Sequence, residues 1–333
     1  MSRVRDPNVR ELRRAGGWLK QLMDLVKQHV AYRAASGHSF TAQRSTARPT
    51  VSFKTQAKRK EILVLTFRLI RELGYKIENV RNFREDHVRA AIRHWEAKGL
   101  SASTLQYRFS VLKLFAEEWL GKTGMLNDLT DYLVDPQRAR RHYAAANDKS
   151  WTQNGVDVQA KIKEIGHKDP RGGMLVALIW AFGLRKHEAI MVRLRQAVAG
   201  DILTLVYTKG GRVREVPIDS DLKRWAIEQA TPFLTRDGHL GWPGKTLKQT
   251  YYRLDYLVRK VAGLNKKDLG VTLHGLRHEY ACDTLERHGV VPPVRGGDLN
   301  AQPKDVVDAA IGTVMEHLGH ARTNIGRAYY GNK

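Results

Sequence analysis

Residues Gly312–Tyr329 read GTVMEHLGHARTNIGRAY, and Tyr330 follows. An apolar helical run ends in Leu318-Gly319-His320, and a tyrosine stands nine positions past that histidine (329 − 320 = 9). On its own this is a helix, a glycine and an aromatic. It becomes informative only if the rest of the chain supplies the partners a reacting tyrosine needs.

Working outward, the 333 residues suit two domains, or one large one, and can bury substantial cores. There are 57 Lys and Arg against 34 Asp and Glu, a formal net charge of +23 that is spread along the length. A globular chain this basic points to a polyanion, nucleic acid first; a merely solvated basic surface is the rival reading. A single cysteine, Cys282, excludes an internal disulfide and gives no sign of secretion. The N-terminus, Met-Ser-Arg-Val-Arg-Asp, lacks an apolar signal core. The longest apolar run, Met174 to Leu184, falls well short of the ~20 residues a membrane span requires. A soluble, cytoplasmic protein with no membrane partner is expected.

Taken in order, residues 9–34 have helical spacing of Leu12, Trp18, Leu19, Leu22, Met23, Leu25 and Val26, weakened by Gly16-Gly17. Residues 36–54 are polar and read as a loop. Helices are predicted over Thr55–Leu73, stopped by Gly74, over Arg84–Lys98, and over Leu105–Leu120 after a Ser/Thr cap. The aromatics of this part fall at helical spacing and read as core. A basic run from Arg138 to Lys149 reads as the linker, which could also lie along phosphates. Beyond it, Met174–Phe182 is apolar all round and reads as a buried helix broken by Gly183. Two β-rich runs, Asp201–Thr208 and Arg212–Ile218, are joined by Lys209-Gly210-Gly211 and read as a hairpin. Helices follow around 220–230, 246–262 and 275–287. A Gly/Pro-rich loop over 289–303 leads to a helix starting near Lys304.

Four short pieces carry chemistry. Ala181-Phe-Gly-Leu-Arg185-Lys-His-Glu188 puts an arginine in the turn after a buried helix, where a charge needs a partner. Glu188 is within reach on a helix; a phosphate is the functional alternative, with Glu188 orienting the guanidinium. Lys209 sits on the hairpin tip, a weak signal alone, though an ammonium there could reach into a DNA groove. In Leu273-His274-Gly-Leu-Arg277-His278, His274 and Arg277 share one face at a helix start, which favours an anion. The competing metal reading of this piece, with His274, His278 and Cys282 one helical turn apart, lacks a second Cys/His cluster to complete it. The fourth piece is the opening stretch, with His320 and Tyr329. Together these cationic side chains can grip a phosphodiester and stabilise charge developing at phosphorus. A tyrosine can attack the phosphorus and hold it covalently. A lysine or histidine can protonate the leaving 5′ oxygen. Such a reaction needs no carboxylate cluster and therefore no Mg²⁺.

The set A-x-G-x-R-x-x-E, K-G-G-R-x-R-x-V-P, H-x-L-R-H and L-G-H with Tyr nine residues on resembles the phage-integrase family of tyrosine recombinases. It covers roughly residues 150–333 in the family's order. Ser103-Thr104-Leu105, before a Leu/Phe-rich helix, is similar to the family's SAM-like core-binding domain. The resemblance implies a mainly α fold with a small β-hairpin or sheet, arranged as a two-domain C-shaped clamp on duplex DNA. A helical core-binding domain would span 1–145 and a catalytic domain 152–333. It implies catalytic roles for Arg185, Lys209, His274, Arg277, His320 and Tyr329, with Glu188 supporting Arg185 and Tyr330 as the adjacent rival nucleophile. The implied reaction is site-specific strand exchange through a 3′-phosphotyrosine, without cofactor, metal or ATP. It would run through a Holliday junction in a homotetramer on two DNA sites in a bacterial cell, with room for accessory bending or directionality factors. The alternatives are relaxation of the type IB topoisomerase kind and a DNA-binding protein of the same fold that does not cut. Three features depart from the family pattern: the long 289–303 loop, the few residues after Tyr330, and no β-rich arm-binding domain ahead of the helices.

Overall fold

Ser52, Ser101, Asp157 and Asp169 each turn a side-chain oxygen onto a backbone amide of the following turn, on Thr55, Thr104, Ala160 and Gly172 respectively. These caps satisfy amides that have no partner inside a helix and so fix where four of the helices begin. The computed structural model describes residues 17–31, 50–206, 208, 213–320 and 325–332. The chain divides into two units, Met1–Arg141 and His142–Lys333.

In the first unit α1 spans Trp18–His29, α2 Phe53–Glu72, α3 Glu85–Ala97 and α4 Ala102–Leu114, with a π-turn at Phe115–Trp119 prolonging α4. The Ser52 cap starts α2 two residues earlier than hydrophobic spacing suggests, because a cap is read from polar chemistry and not from periodicity. Residues 9–16, 32–34 and 36–49 of the expected helix and loop lie outside the described residues. Phe67, Phe83 and Phe115 are buried with rings 5.4–5.6 Å apart, and Trp18 stacks on Phe67 at 5.8 Å. The apolar stripe of α4 (Leu105, Phe109, Leu112, Phe115 and Trp119) is all buried in this core. These aromatics pack among themselves, as their helical spacing suggests. Each buried ring contributes about 2–3 kcal/mol.

In the second unit α5 (Val158–Lys168) lies against α6 (Pro170–Phe182). Most of α6 is buried on every side, which accounts for a sequence with no polar face. The short helix α7 (Lys186–Met191) follows. Then β1 (Val198–Ala199), β2 (Ile202–Leu205) and β3 (Arg214–Pro217) form an antiparallel sheet in that order. Leu203 pairs with Val216, and Leu205 with Arg214. The two-residue β1 was not anticipated, being too short to show alternation. The hairpin tip, including Lys209, lies outside the described residues. The longer helices α8 (Asp221–Ala230), α9 (Leu247–Tyr256), α10 (Gly275–Arg287) and α11 (Lys304–Leu318) follow, with the short α12 (Arg327–Tyr330) at the end. No helix among the described residues is long and apolar enough to cross a membrane.

Two expected irregular segments are packed parts of this unit. Trp151 is fully buried; its amide donates to Glu279 Oε2 at 2.7 Å and its indole N–H to the Thr272 carbonyl at 2.7 Å. The Ala145 amide donates to the Arg327 carbonyl at 2.8 Å, so residues read as linker lie against the helix that carries Tyr329. The 289–303 loop holds two 3₁₀ turns. Its Arg295 donates to Asp148 (2.8 Å), Asp283 (2.8 Å) and Glu286 (2.7 Å), pinning loop and preceding segment to α10. Neither pairing is visible to a local reading, because each joins residues far apart in sequence.

Candidate active site

α6 ends at Gly183, whose φ of 59° is left-handed and favours glycine. A Cβ there would also come within 2.6 Å of the Tyr280 ring. The reversal places Arg185 as the N-cap of α7, with Glu188 one turn on. The Arg185 amide donates to Glu188 Oε2 at 2.8 Å, and its Nη1 donates to Oε1 at 2.6 Å. The partner expected for the arginine is therefore present, and the guanidinium still keeps an exposed edge.

Arg277, on the first turn of α10, is fully buried. Its Nη1 donates to the Gly183 carbonyl at 2.5 Å and its Nη2 to the Leu318 carbonyl at 2.6 Å. These two carbonyls sit at the C-terminal ends of α6 and α11, where free carbonyls and helix dipoles attract a cation. Its Nε donates to Tyr329 Oη at 3.2 Å. α11 ends at Gly319 with φ 65°, and the turn delivers His320. His320 Nε2 lies 3.1 Å from Tyr329 Oη and 3.4 Å from Nη2 of both Arg185 and Arg277. Burial, then Arg277 and Arg185, hold His320 down to about 4. A neutral imidazole there can accept a hydrogen bond from the Tyr329 hydroxyl through Nε2.

His274 opens α10, with its ring 5.9 Å from that of Tyr329. Enclosure of the ring, followed by repulsion from Arg277 and Arg185, lowers its pKa to about 4. The residue as a whole nevertheless keeps an exposed face. His274 makes a neutral, accessible donor or acceptor at the rim. His278 and Cys282, which share its face, both turn to the Tyr329 carbonyl, at 3.4 and 3.9 Å. They hold the backbone of the tyrosine helix. Burial also pushes the Cys282 thiol far above its ordinary range, so it is not a thiolate ligand.

Tyr329 and Tyr330 separate clearly. Tyr329 directs its hydroxyl at Arg277 and His320. Tyr330 is 2% exposed, lies against Gly326, and makes no hydrogen bond to Arg185, Arg277 or His320. Burial raises its pKa to about 12. The structure thus brings together Arg185, Glu188, His274, Arg277, His320 and Tyr329, while Lys209 falls outside the described residues.

One residue of the cluster stands in the quoted motif K-G-G-R-x-R-x-V-P but was given no role there. Arg214 on β3 donates from Nη2 to Glu188 Oε2 at 2.5 Å. Its signal was the strand alternation of R-E-V-P, in which Arg214 and Val216 point inward. Burial works against ionisation of Glu188, but Arg214, Arg277 and Arg185 together pull its pKa below the usual carboxylate value.

The site also sets an acid limit on stability. Burial leads the causes that hold His278 and His317 at about 4, against an ordinary ~6.5. His278 faces His274, Lys149 and the Tyr329 carbonyl; His317 faces Lys223 and the Tyr280 hydroxyl, the latter at 2.9 Å. A depressed histidine contributes stability above its unfolded pKa and loses it as pH falls through the folded value. Stability of the second unit should therefore be flat from pH 8 to 7. It should then fall between about 6.5 and 4, at up to about 1.4 kcal/mol per pH unit for each histidine. Calorimetric melts across pH 8 to 4.5 check this. A melting temperature that stays level down to pH 5 contradicts it.

Comparison with known proteins follows the same lines. Residues 43–125 match the family model described as phage integrase, N-terminal. The chain is 28% identical over 269 residues to tyrosine recombinase XerC of Chromobacterium violaceum, covering 76% of this chain and 77% of that protein. It is 24% identical over 272 residues to XerC of Proteus mirabilis, covering 77% of each. Its fold is similar to that of lambda integrase in a tetramer bound to a Holliday junction, with a TM-score of 0.58, 12% identity, and coverage of 99% of this chain and 83% of that one. It is also similar to the Tn1549 transposon integrase in complex with circular intermediate DNA, with a TM-score of 0.53, 14% identity, and coverage of 94% and 95%.

Proposed function

We propose that the chain, a tyrosine recombinase of the phage-integrase type by its similarity to known proteins, cuts and rejoins DNA at specific sites through a covalent 3′-phosphotyrosine on Tyr329. The observation that carries this reading is the Tyr329 hydroxyl held between Arg277 Nε at 3.2 Å and His320 Nε2 at 3.1 Å. An Arg277 N–H stabilises a phenolate, and a neutral His320 takes the phenol proton or orients it.

In this scheme Arg185 and Arg277 bind the non-bridging oxygens of the scissile phosphate. The Tyr329 oxygen forms a bond to phosphorus as the bond to the 5′ oxygen breaks, and the 5′ oxygen takes a proton from Lys209. His274 donates to the phosphate from the rim. The arginines supply the positive charge that a pentacoordinate phosphorus demands. The phosphotyrosyl bond keeps the energy of the broken ester, so no step needs a nucleotide or a metal. A 5′ hydroxyl from the partner strand then attacks phosphorus and releases Tyr329. The first unit serves as the core-binding domain. Four copies on two paired sites complete exchange through a Holliday junction, the assembly in which lambda integrase has been seen.

The test is capture of the covalent adduct from a library of duplexes with random central sequence, each nicked so that the cleaved end diffuses away. Denaturant-stable adducts should appear, and mass mapping should place the 3′ phosphate on Tyr329. DNA binding without any adduct, or an adduct on Tyr330, overturns the assignment. Relaxation of any supercoiled plasmid irrespective of sequence would instead mark a topoisomerase.

A further inference from the structure

Arg214 is 4% exposed, and its Nη2 is turned onto Glu188. It sits beside two other cations, and burial, followed by repulsion from Arg277 and Arg185, lowers its pKa to about 10 despite Glu188. Its Nε and Nη1 have no partner among the described residues. A buried guanidinium in that setting is unfavourable unless it gains something specific. An apolar residue would fill the inward register of β3 more cheaply. What Arg214 gains is one oxygen of Glu188.

That oxygen is contested. Oε1 takes Arg185 Nη1 at 2.6 Å. Oε2 takes the Arg185 amide at 2.8 Å and Arg214 Nη2 at 2.5 Å, while Arg277 Nη1 waits at 3.7 Å. Without Arg214, the freed lone pair would draw Arg277 Nη1 off the Gly183 carbonyl. The whole planar guanidinium would turn with it, taking Nε away from Tyr329. Arg214 also supports the turn into His320: a Cβ on Gly319 would come within 2.6 Å of Arg214 Cδ. The left-handed glycine there leaves room for the arginine stem as well as reversing the chain.

We propose that Arg214 is a positioning residue for DNA cleavage: by saturating Glu188 it keeps Arg185 and Arg277 aimed at the scissile phosphate. This rests on the cleavage reading above, and the experiment separates the two. Adduct formation is measured in single turnover against protein concentration on a captured duplex, for the parent, Arg214→Met, Arg214→Lys and Glu188→Gln, with melting temperature and DNA affinity alongside. If the parent forms no adduct, the cleavage reading fails and Arg214 is not at issue.

With an active parent, Arg214→Met should lower the maximal rate by 10- to 100-fold while leaving DNA affinity within about two-fold. Its acid limb should move to higher pH, because Glu188 loses its leading counter-charge and protonates sooner. Arg214→Lys should recover most of the rate and return the acid limb toward the parent's. In the Glu188→Gln background, Arg214→Met should cost little more, since the arginine acts through that carboxylate. An unchanged rate in Arg214→Met overturns the proposal. So does an equal loss in the Met and Lys variants that follows melting temperature with an unmoved pH profile, which would mark a purely structural residue. Full additivity with Glu188→Gln also overturns it.

Discussion

Tyr329→Phe should abolish adduct formation and strand exchange, by on the order of 10⁴-fold or more, while the protein stays folded and bound to DNA. The change removes only the oxygen that would join phosphorus, and no neighbouring group can stand in for it. Tyr330 is adjacent in sequence, but it is packed against Gly326 and away from the arginines. Folding should change little. The ring, 6% exposed, keeps its packing among His274, His278 and His320, with centroids 4.9–5.9 Å away. The loss is two hydrogen bonds, with Arg277 Nε and with His320 Nε2, about 1–3 kcal/mol if the buried Arg277 donor stays unsatisfied. Tyr330→Phe is the control and should cleave at close to the parent rate. Single-turnover cleavage, DNA binding and melting temperature decide the matter. A Tyr329→Phe protein that recombines as well as the parent removes the basis of the proposed mechanism.

Arg277→Ala should strike both activity and fold. The side chain is wholly enclosed and bridges the last carbonyls of two helices, Gly183 at 2.5 Å and Leu318 at 2.6 Å. Its removal leaves those carbonyls unsatisfied, opens a cavity and strips a cation from the surroundings of Glu188. Breaking a buried charge network of this kind costs about 3–5 kcal/mol. Cleavage should fall by at least about 10³-fold, since a donor aimed at transition-state charge is worth 10²–10³ and the tyrosine contact goes with it. Arg277→Lys distinguishes the two losses. An ammonium restores charge and some stability, but it cannot span two carbonyls and still reach Tyr329 from Nε. Its melting temperature should recover by more than half, while cleavage stays at least about 10²-fold down. A lysine variant that cleaves like the parent would reduce Arg277 to a simple counter-charge.

Several local features could be read in the chain because their causes are local. The helix Lys304–Leu318 begins after Pro303 and ends at Gly319, so its turn chemistry marks both ends. The all-apolar Met174–Phe182 had to be enclosed. The hairpin followed from two β-rich runs about a Gly-Gly pair, although its tip lies outside the described residues. The spacing of Arg185 and Glu188 gave their pairing directly, because three residues make one helical turn. What the sequence left unread is decided by distant partners. The linker run and the 289–303 loop looked irregular by composition, yet Ala145, Trp151 and Arg295 anchor both to the second unit.

The sequence by itself determined the order of the motifs, the residue types that a phosphoryl transfer needs, and the helices and strands that bear them. Only the tertiary structure decided which polar groups meet. Arg277 finds the carbonyls of Gly183 and Leu318 because α6 and α11 end at the same place. Glu188 collects three arginines because Arg214 points inward from β3 and meets it beside Arg185 and Arg277. Tyr329, not Tyr330, faces His320 because α12 is held by His278, Cys282 and Ala145 on its backbone. Periodicity and turn chemistry are set within one or two helical turns. The pairing of buried charges is set by how helix ends pack, which no stretch of chain carries alone.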